Sequence, residues 1–147
     1  MMRYIGFDRE EEAEAWARQR IEIKGVPGFF RAAAAVDKND EFVCVVVMTN
    51  FTSRNVDLSI AIDAKKMLPK GTILMFNEIF EFVFDKLHAD RVTGLVHGEN
   101  KQAQKINEHF GFKLEGVMRK AFEGADMSIY GFLAEEYHSH PWRRALS

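Results

Sequence analysis

The stretch Val56-Asp57-Leu58-Ser59-Ile60-Ala61-Ile62-Asp63 decides the fold. Val56, Leu58, Ile60 and Ile62 alternate with Asp57, Ser59, Ala61 and Asp63, and residues two apart share one face of a strand. After the polar run Lys65 to Gly71, the residues Ile73, Phe76, Phe80, Val83, Phe84 and Leu87 fall at helical spacing, which predicts a long, largely buried helix. Its phenylalanines read as core filler rather than as a cofactor box. Arg91 to His97 reads as a further strand. Strand, helix and strand in succession imply a parallel pair.

Working outward, hairpins flank this unit. Arg3 to Phe7 reads as a first strand, and Asp8 is placed to cap a helix through Ile23, because its carboxylate can accept from first-turn amides. Glu10, Glu11 and Glu12 lie where the helix dipole favours negative charge. Gly25-Val26-Pro27-Gly28 ends that helix, and Phe29 to Val36 and Glu41 to Thr49 are two strands joined at Asp37-Lys38-Asn39-Asp40. Beyond His97, Glu99-Asn100 opens a short helix to His109 that stops at Gly111. Lys113 to Ala121 and Met127 to Ala134 form a closing hairpin over the turn Phe122 to Asp126. The class is α/β (α+β), a mixed, mostly antiparallel sheet with a central parallel pair flanked by helices. No repeat or linker divides the 147 residues, so a single domain is expected.

Hydrophobic residues at 47% and charged residues at 29% describe a soluble globular chain. A formal net charge of -2 gives no basic surplus to draw it onto nucleic acid or membrane, and neither is expected as a partner. Cys44 is the one cysteine and sits in the apolar run Phe42 to Val47, which reads as a small buried hydrophobe and rules out an internal disulfide. With no apolar signal core at the start and no apolar run of about 18 residues, the cytoplasm is the expected location. His138 and His140 lack the Cys or carboxylate that would complete a ligand set, so no metal is expected.

Lys70 and Gly71 stand where the central strand's loop enters the long helix. Free amides and the dipole at a helix start favour phosphate, the lysine adds charge, and the glycine lets an anion approach the backbone.

The segment from Asn100 to Lys120 reads N-x-x-A-x-K-x-x-E-x-x-GF-x-x-EG-x-x-R through Asn100, Ala103, Lys105, Glu108, Gly111, Phe112, Glu115, Gly116 and Arg119. It resembles the signature of the GNAT N-acetyltransferases, closest to the branch acting on ribosomal-protein N-termini and small amines. Asp126, Tyr130 and Leu133 resemble that branch's D-x-x-x-Y-x-x-L closing strand. The resemblance implies acetyl-CoA as co-substrate, held between the diverging ends of the central parallel strands. It places the pyrophosphate loop on Leu68-Pro69-Lys70-Gly71-Thr72-Ile73, where only the central glycine agrees with the family's Q/R-x-x-G-x-G/A pattern. Asn100, Ala103 and Lys105 take the positions that touch the pantetheine arm and the nucleotide phosphate. Asn107 stands where many members carry a tyrosine that protonates the leaving thiolate.

Acetyl transfer to an amine needs a base or water relay, a polarised carbonyl and a route for a proton to sulfur. An exposed backbone amide in Ala61-Ile62-Asp63 is the expected oxyanion donor. His97, at the end of its strand, is the candidate base, because histidine titrates near neutrality. Asp57 and Ser59 are candidates to orient water or amine, and Tyr130 to supply the acid. Each also has an ordinary structural reading: a strand-end histidine bonded to backbone, and solvent-facing polar strand residues. The acceptor site is expected between the first helix, the loop near Gly25 to Gly28 and the closing hairpin. The resulting function is N-acetyl transfer to a primary amine of a small molecule or protein, with a possible homodimer by analogy. The competing readings are a GNAT-fold CoA-binding or interaction module without turnover, suggested by Leu68, Ile73 and Asn107, and an assembly protein that pairs through exposed strands.

Overall fold

A computed structural model of the chain describes residues 2–23, 28–63, 65–67 and 69–139. Seven strands make one sheet in the order β1 (Arg3–Gly6), β2 (Phe30–Val36), β3 (Phe42–Thr49), β4 (Asn55–Ile62), β5 (Arg91–His97), β7 (Ala125–Leu133), β6 (Lys113–Phe122). Every neighbouring pair is antiparallel except β4 and β5. Helix α1 (Glu10–Arg18) covers one face through Ala13 and Ala17. On the other face lie α2 (Pro69–Phe80), which runs on as a π-helical stretch Glu81–Lys86, and α3 (Lys101–His109), while α4 (Ala134–Ser139) follows β7.

This layering explains why β3 is an unbroken apolar run. Cys44, Val46 and Met48 pack toward α2, Val45 and Val47 toward α1, so every position is buried. The phenylalanines build the core under α2 as expected. Phe76 stacks on Phe110 at 4.8 Å, Phe112 stacks on Phe132 at 4.8 Å, and Phe80 lies between the two pairs. Burying each such ring stabilises the fold by about 1.5–3 kcal/mol.

The structure corrects two local expectations. Arg9, not Asp8, occupies the N-cap of α1, makes no capping bond, and reaches Glu12 and the Asp40 carbonyl instead. Glu10 fastens this helix start to β2 by accepting from the Arg31 guanidinium and the Ala32 amide, and the helix closes at Arg18, short of Ile23. The closing hairpin is also tighter: Phe122 pairs with Ala125, leaving Glu123-Gly124 as a two-residue turn with Gly124 at φ 74°. Among the described residues no helix is long and apolar enough to cross a membrane.

Candidate active site

The parallel ladder runs from Asn55–Arg91 to Leu58–Gly94 and stops, although β4 continues to Ile62 and β5 to His97. Beyond that point each strand is held only on its outer side. Ile62 still pairs with Cys44 of β3, and His97 with Met127 of β7. Asn107 of α3 sits at the fork: a Cβ on Gly94 would lie 2.3 Å from its Oδ1, so only glycine admits this side chain.

The split determines which backbone groups are available. The Asp63 amide donates to the Val43 carbonyl at 2.7 Å. Backbone direction alternates along a strand, so Ala61, like Asp63, turns its N–H toward β3, and Ile60 and Ile62 turn theirs toward β5. Within the expected donor segment Ala61-Ile62-Asp63, only the Ile62 amide is therefore turned toward the gap. Ala61 and Asp63 are engaged by β3, and the groups that face the gap belong to Ile60 and Ile62. Ile60 is nearly buried, and polar backbone in such a place requires a partner.

A cavity of about 380 Å³ occupies the split. Its lining includes Ser59, Leu95, His97 and Met127 from the α1 side of the sheet, and Ile60, Val96 and Ala103 from the core on the α3 side. One cavity can touch both faces of a sheet only where the sheet is open. Arg20, Ile21 and Glu22, which follow α1, and Phe122 of the hairpin close it from the α1 side. Of the segments expected around an acceptor, the residues that follow the first helix and Phe122 of the hairpin line this cavity, and residues 24–27 lie outside the described residues.

His97, Ser59, Asn100 and Ala103 are thus brought together, and Asn100 also caps α3 by accepting from the Ala103 amide at 3.1 Å. His97 packs against the Phe122 ring at 4.7 Å with the planes tilted by 32°, and its Nδ1 accepts from the Glu99 amide at 3.2 Å. That bond places the ring proton of neutral His97 on Nε2, so the ring offers the cavity a donor rather than a free base.

Asp57, Tyr130 and Asn107 lie outside the lining. Both oxygens of Asp57 are occupied, Oδ2 by Asn50 at 2.7 Å and Oδ1 by Asn55 at 2.8 Å. The network continues from Thr93, which donates to Asn55 at 2.6 Å, to Arg91 and Glu115, and it fastens the closed half of the parallel pair. Tyr130 is buried against the core and donates to Glu108 at 3.2 Å; burial, then the Glu108 charge, raises its phenol above the ordinary range, the wrong direction for an acid. Asn107 donates to the Ala103 carbonyl at 2.8 Å and turns its oxygen onto Gly94.

At the start of α2, Lys70 is exposed and Gly71 packs against Met2, where an added Cβ would meet the Met2 side chain at 3.2 Å. First-turn amides lack helical partners, so Lys70 and Gly71 present theirs, whereas Pro69 has none to present. Ile73 turns its side chain into the core and Leu68 lies outside the described residues. Thr72 and Lys105 meet across a second cavity of about 280 Å³ between α2 and α3, with Gln102 and His109 in its wall. Sequence reasoning missed Phe122 and Met127 as individual residues. Their signal was the hairpin turn, which puts both beside His97.

No family model and no curated protein matches the sequence. Solved structures do. A chimera of Vibrio cholerae spermidine N-acetyltransferase SpeG and hSSAT aligns over 95% of this chain and 99% of its own, with a TM-score of 0.70 at 14% identity. An acetyltransferase of the GNAT family from Bacillus anthracis aligns over 71% of this chain and 67% of its own, with a TM-score of 0.60 at 16% identity. The chain has the GNAT fold. The ribosomal-protein-S5-alanine acetyltransferase from Vibrio fischeri shares it, with a TM-score of 0.63 at 16% identity over 74% of this chain and 63% of its own. In this chain the GNAT fold carries the open parallel pair.

Proposed function

We propose that the chain is an N-acetyltransferase that passes the acetyl group of acetyl-CoA directly to a primary amine. The observation that carries this reading is the cavity running through the split between β4 and β5, with the backbone of Ile60 and Ile62 turned into it. Those groups suit an extended amide-bearing chain laid between the strands, and the amides of Lys70 and Gly71 with the Lys105 side chain suit its phosphates. When bound, acetyl-CoA supplies a thioester acyl group.

The reaction joins the amine nitrogen to the acetyl carbon and breaks the carbon–sulfur bond, so the amine sheds a proton and the sulfur gains one. An Ile60 or Ile62 amide polarises the carbonyl oxygen. Ser59 and the Nε2–H of His97 orient the amine and the water that takes its proton. No protein carboxylate is needed as base.

A second reading, binding without turnover, is favoured by the engagement of Asp57, Tyr130 and the Nδ1 of His97 in other bonds. Two measurements separate the readings. Calorimetry with acetyl-CoA gives binding under both. Thiol release on adding primary amines occurs only under the first, and its absence across an amine panel overturns the transferase.

A further inference from the structure

Between β4 and α2 the chain turns, and Asp63 shapes that turn. Its amide stays on the Val43 carbonyl of β3, while its own carbonyl accepts from the Lys66 amide at 3.0 Å and its Oδ1 from the Lys65 amide at 3.2 Å. Met67 lies in the wall of the second cavity with Thr72 and Lys105. Lys66, the residue before it, reaches a different element. Its Nζ donates to Glu41 at 3.2 Å and stands 3.4 Å from Asp37 and 3.8 Å from Asp63. Asp37 and Glu41 are the two ends of the turn between β2 and β3, and Asp37 Oδ1 accepts from the Asn39 amide at 2.8 Å and the Glu41 amide at 3.1 Å. A single exposed ion pair stabilises little, because two long side chains must be ordered for it. Here one ammonium serves three carboxylates, and Asp37 is already held by backbone with its side chain only 18% exposed.

We propose that Lys66 is a positioning residue for the diphosphate of the acyl donor; this rests on the transferase reading above, which gives that group to the Lys70 and Gly71 amides and the Lys105 side chain. By tying the β4–α2 turn to the β2–β3 turn, Lys66 holds Met67 and the entry to α2 in place, so that less ordering is left for the ligand to impose. Its own charge is taken up by the carboxylates and does not meet the phosphates.

The test is calorimetry of the full chain with acetyl-CoA and with inorganic pyrophosphate, alongside amide exchange by NMR. Lys66→Met is expected to weaken both ligands at least about fivefold, and Lys66→Arg to keep most of the affinity. The Ala61 and Asp63 amides should exchange within about twofold of the parent rate in both variants, because β3 holds them. The paired variant Asp37→Asn, Glu41→Gln keeps the Asp37 oxygen that the backbone needs and removes the charges, so it should show the same loss, and adding Lys66→Met to it should cost little more. Unchanged affinity in Lys66→Met overturns the proposal. Faster exchange of Ala61 and Asp63 does so too, by placing the effect in the sheet. A paired variant that binds like the parent or tighter also overturns it, because Lys66 would then act on the phosphates itself. If the parent binds pyrophosphate but not acetyl-CoA, the transferase reading falls and the pyrophosphate affinities still decide the role of Lys66; if it binds neither, both fall.

Discussion

Asp57 and His97 show how hydrogen-bond partners decide a residue's role. Asp57 has both oxygens held by asparagine amides at the closed end of the parallel pair, so its work is to align strands. Asp57→Ala is expected to cost about 1–3 kcal/mol in urea unfolding, because two amide groups lose their acceptor, while kcat of the folded protein stays at the parent value. A fall in kcat without a loss of stability would return Asp57 to the chemistry. Glycines offer a second contrast. At Gly94 an added methyl meets the buried Asn107 amide at 2.3 Å, and at Gly131 it meets the Glu115 carboxylate at 2.0 Å. The first neighbour is locked between α3 and the sheet, whereas the second is the flexible end of a partly exposed ion pair with Arg91. Gly94→Ala should therefore destabilise by about 1–3 kcal/mol and Gly131→Ala by less than about 1 kcal/mol, measured by the same unfolding curves. Cys44 is fully buried, and burial pushes its thiol up to about 12. A disulfide reagent at pH 8 should detect no thiol in the native protein and one after denaturation, which also keeps the thiol-release assay free of background.

The elements of the fold were legible wherever a single period dominated. The alternation from Val56 to Ile62 and the helical spacing of Phe76, Phe80 and Phe84 each report a surface facing one core, and both elements stand where the sequence puts them. The end of α1 was less legible because Ile21 and Ile23 prolong, beyond Trp16, an apolar pattern that tertiary packing uses in a loop rather than a helix. The site was legible in outline, since the split falls between the expected strands. Its donors were legible only as a segment, since Ile62 falls inside the expected Ala61-Ile62-Asp63 and Ile60 outside it. Which amide faces the gap depends on the phase of the β3–β4 hydrogen bonds, fixed by Asp63 bonding to Val43, and a side-chain pattern carries no record of that phase. Tyr130 illustrates the same limit: its place in the strand was readable, but the direction of its hydroxyl depends on Glu108 of a helix far away in sequence.

For the whole molecule, burying neutral acids makes stability fall at high pH. Burial, followed by the charge of Glu78, pushes the Tyr4 phenol up to about 12 from its ordinary 10.0, and the Cys44 thiol reaches about 12 from 9.0. Between the unfolded and folded values the native state holds more protons, so the slope of unfolding free energy against pH is negative. Stability from these groups is fully present below about pH 9, declines as pH passes 9 and 10, and is lost by about 12; urea midpoints taken across that range check the sign. Helix α3 lines both cavities, the one in the split through Ala103 and the one beside α2 through Gln102, Lys105, Ile106 and His109. A ligand spanning both should order the α2 start and the β4 end together. Amide hydrogen exchange resolved by NMR tests this most directly. Without ligand, Ile60 and Ile62 should exchange fast and Ala61 and Asp63 slowly, and acetyl-CoA should slow Ile60 and Ile62 by at least about tenfold. Equal protection of all four amides without ligand, or no change on adding acetyl-CoA, would contradict the open parallel pair as the seat of the acyl donor.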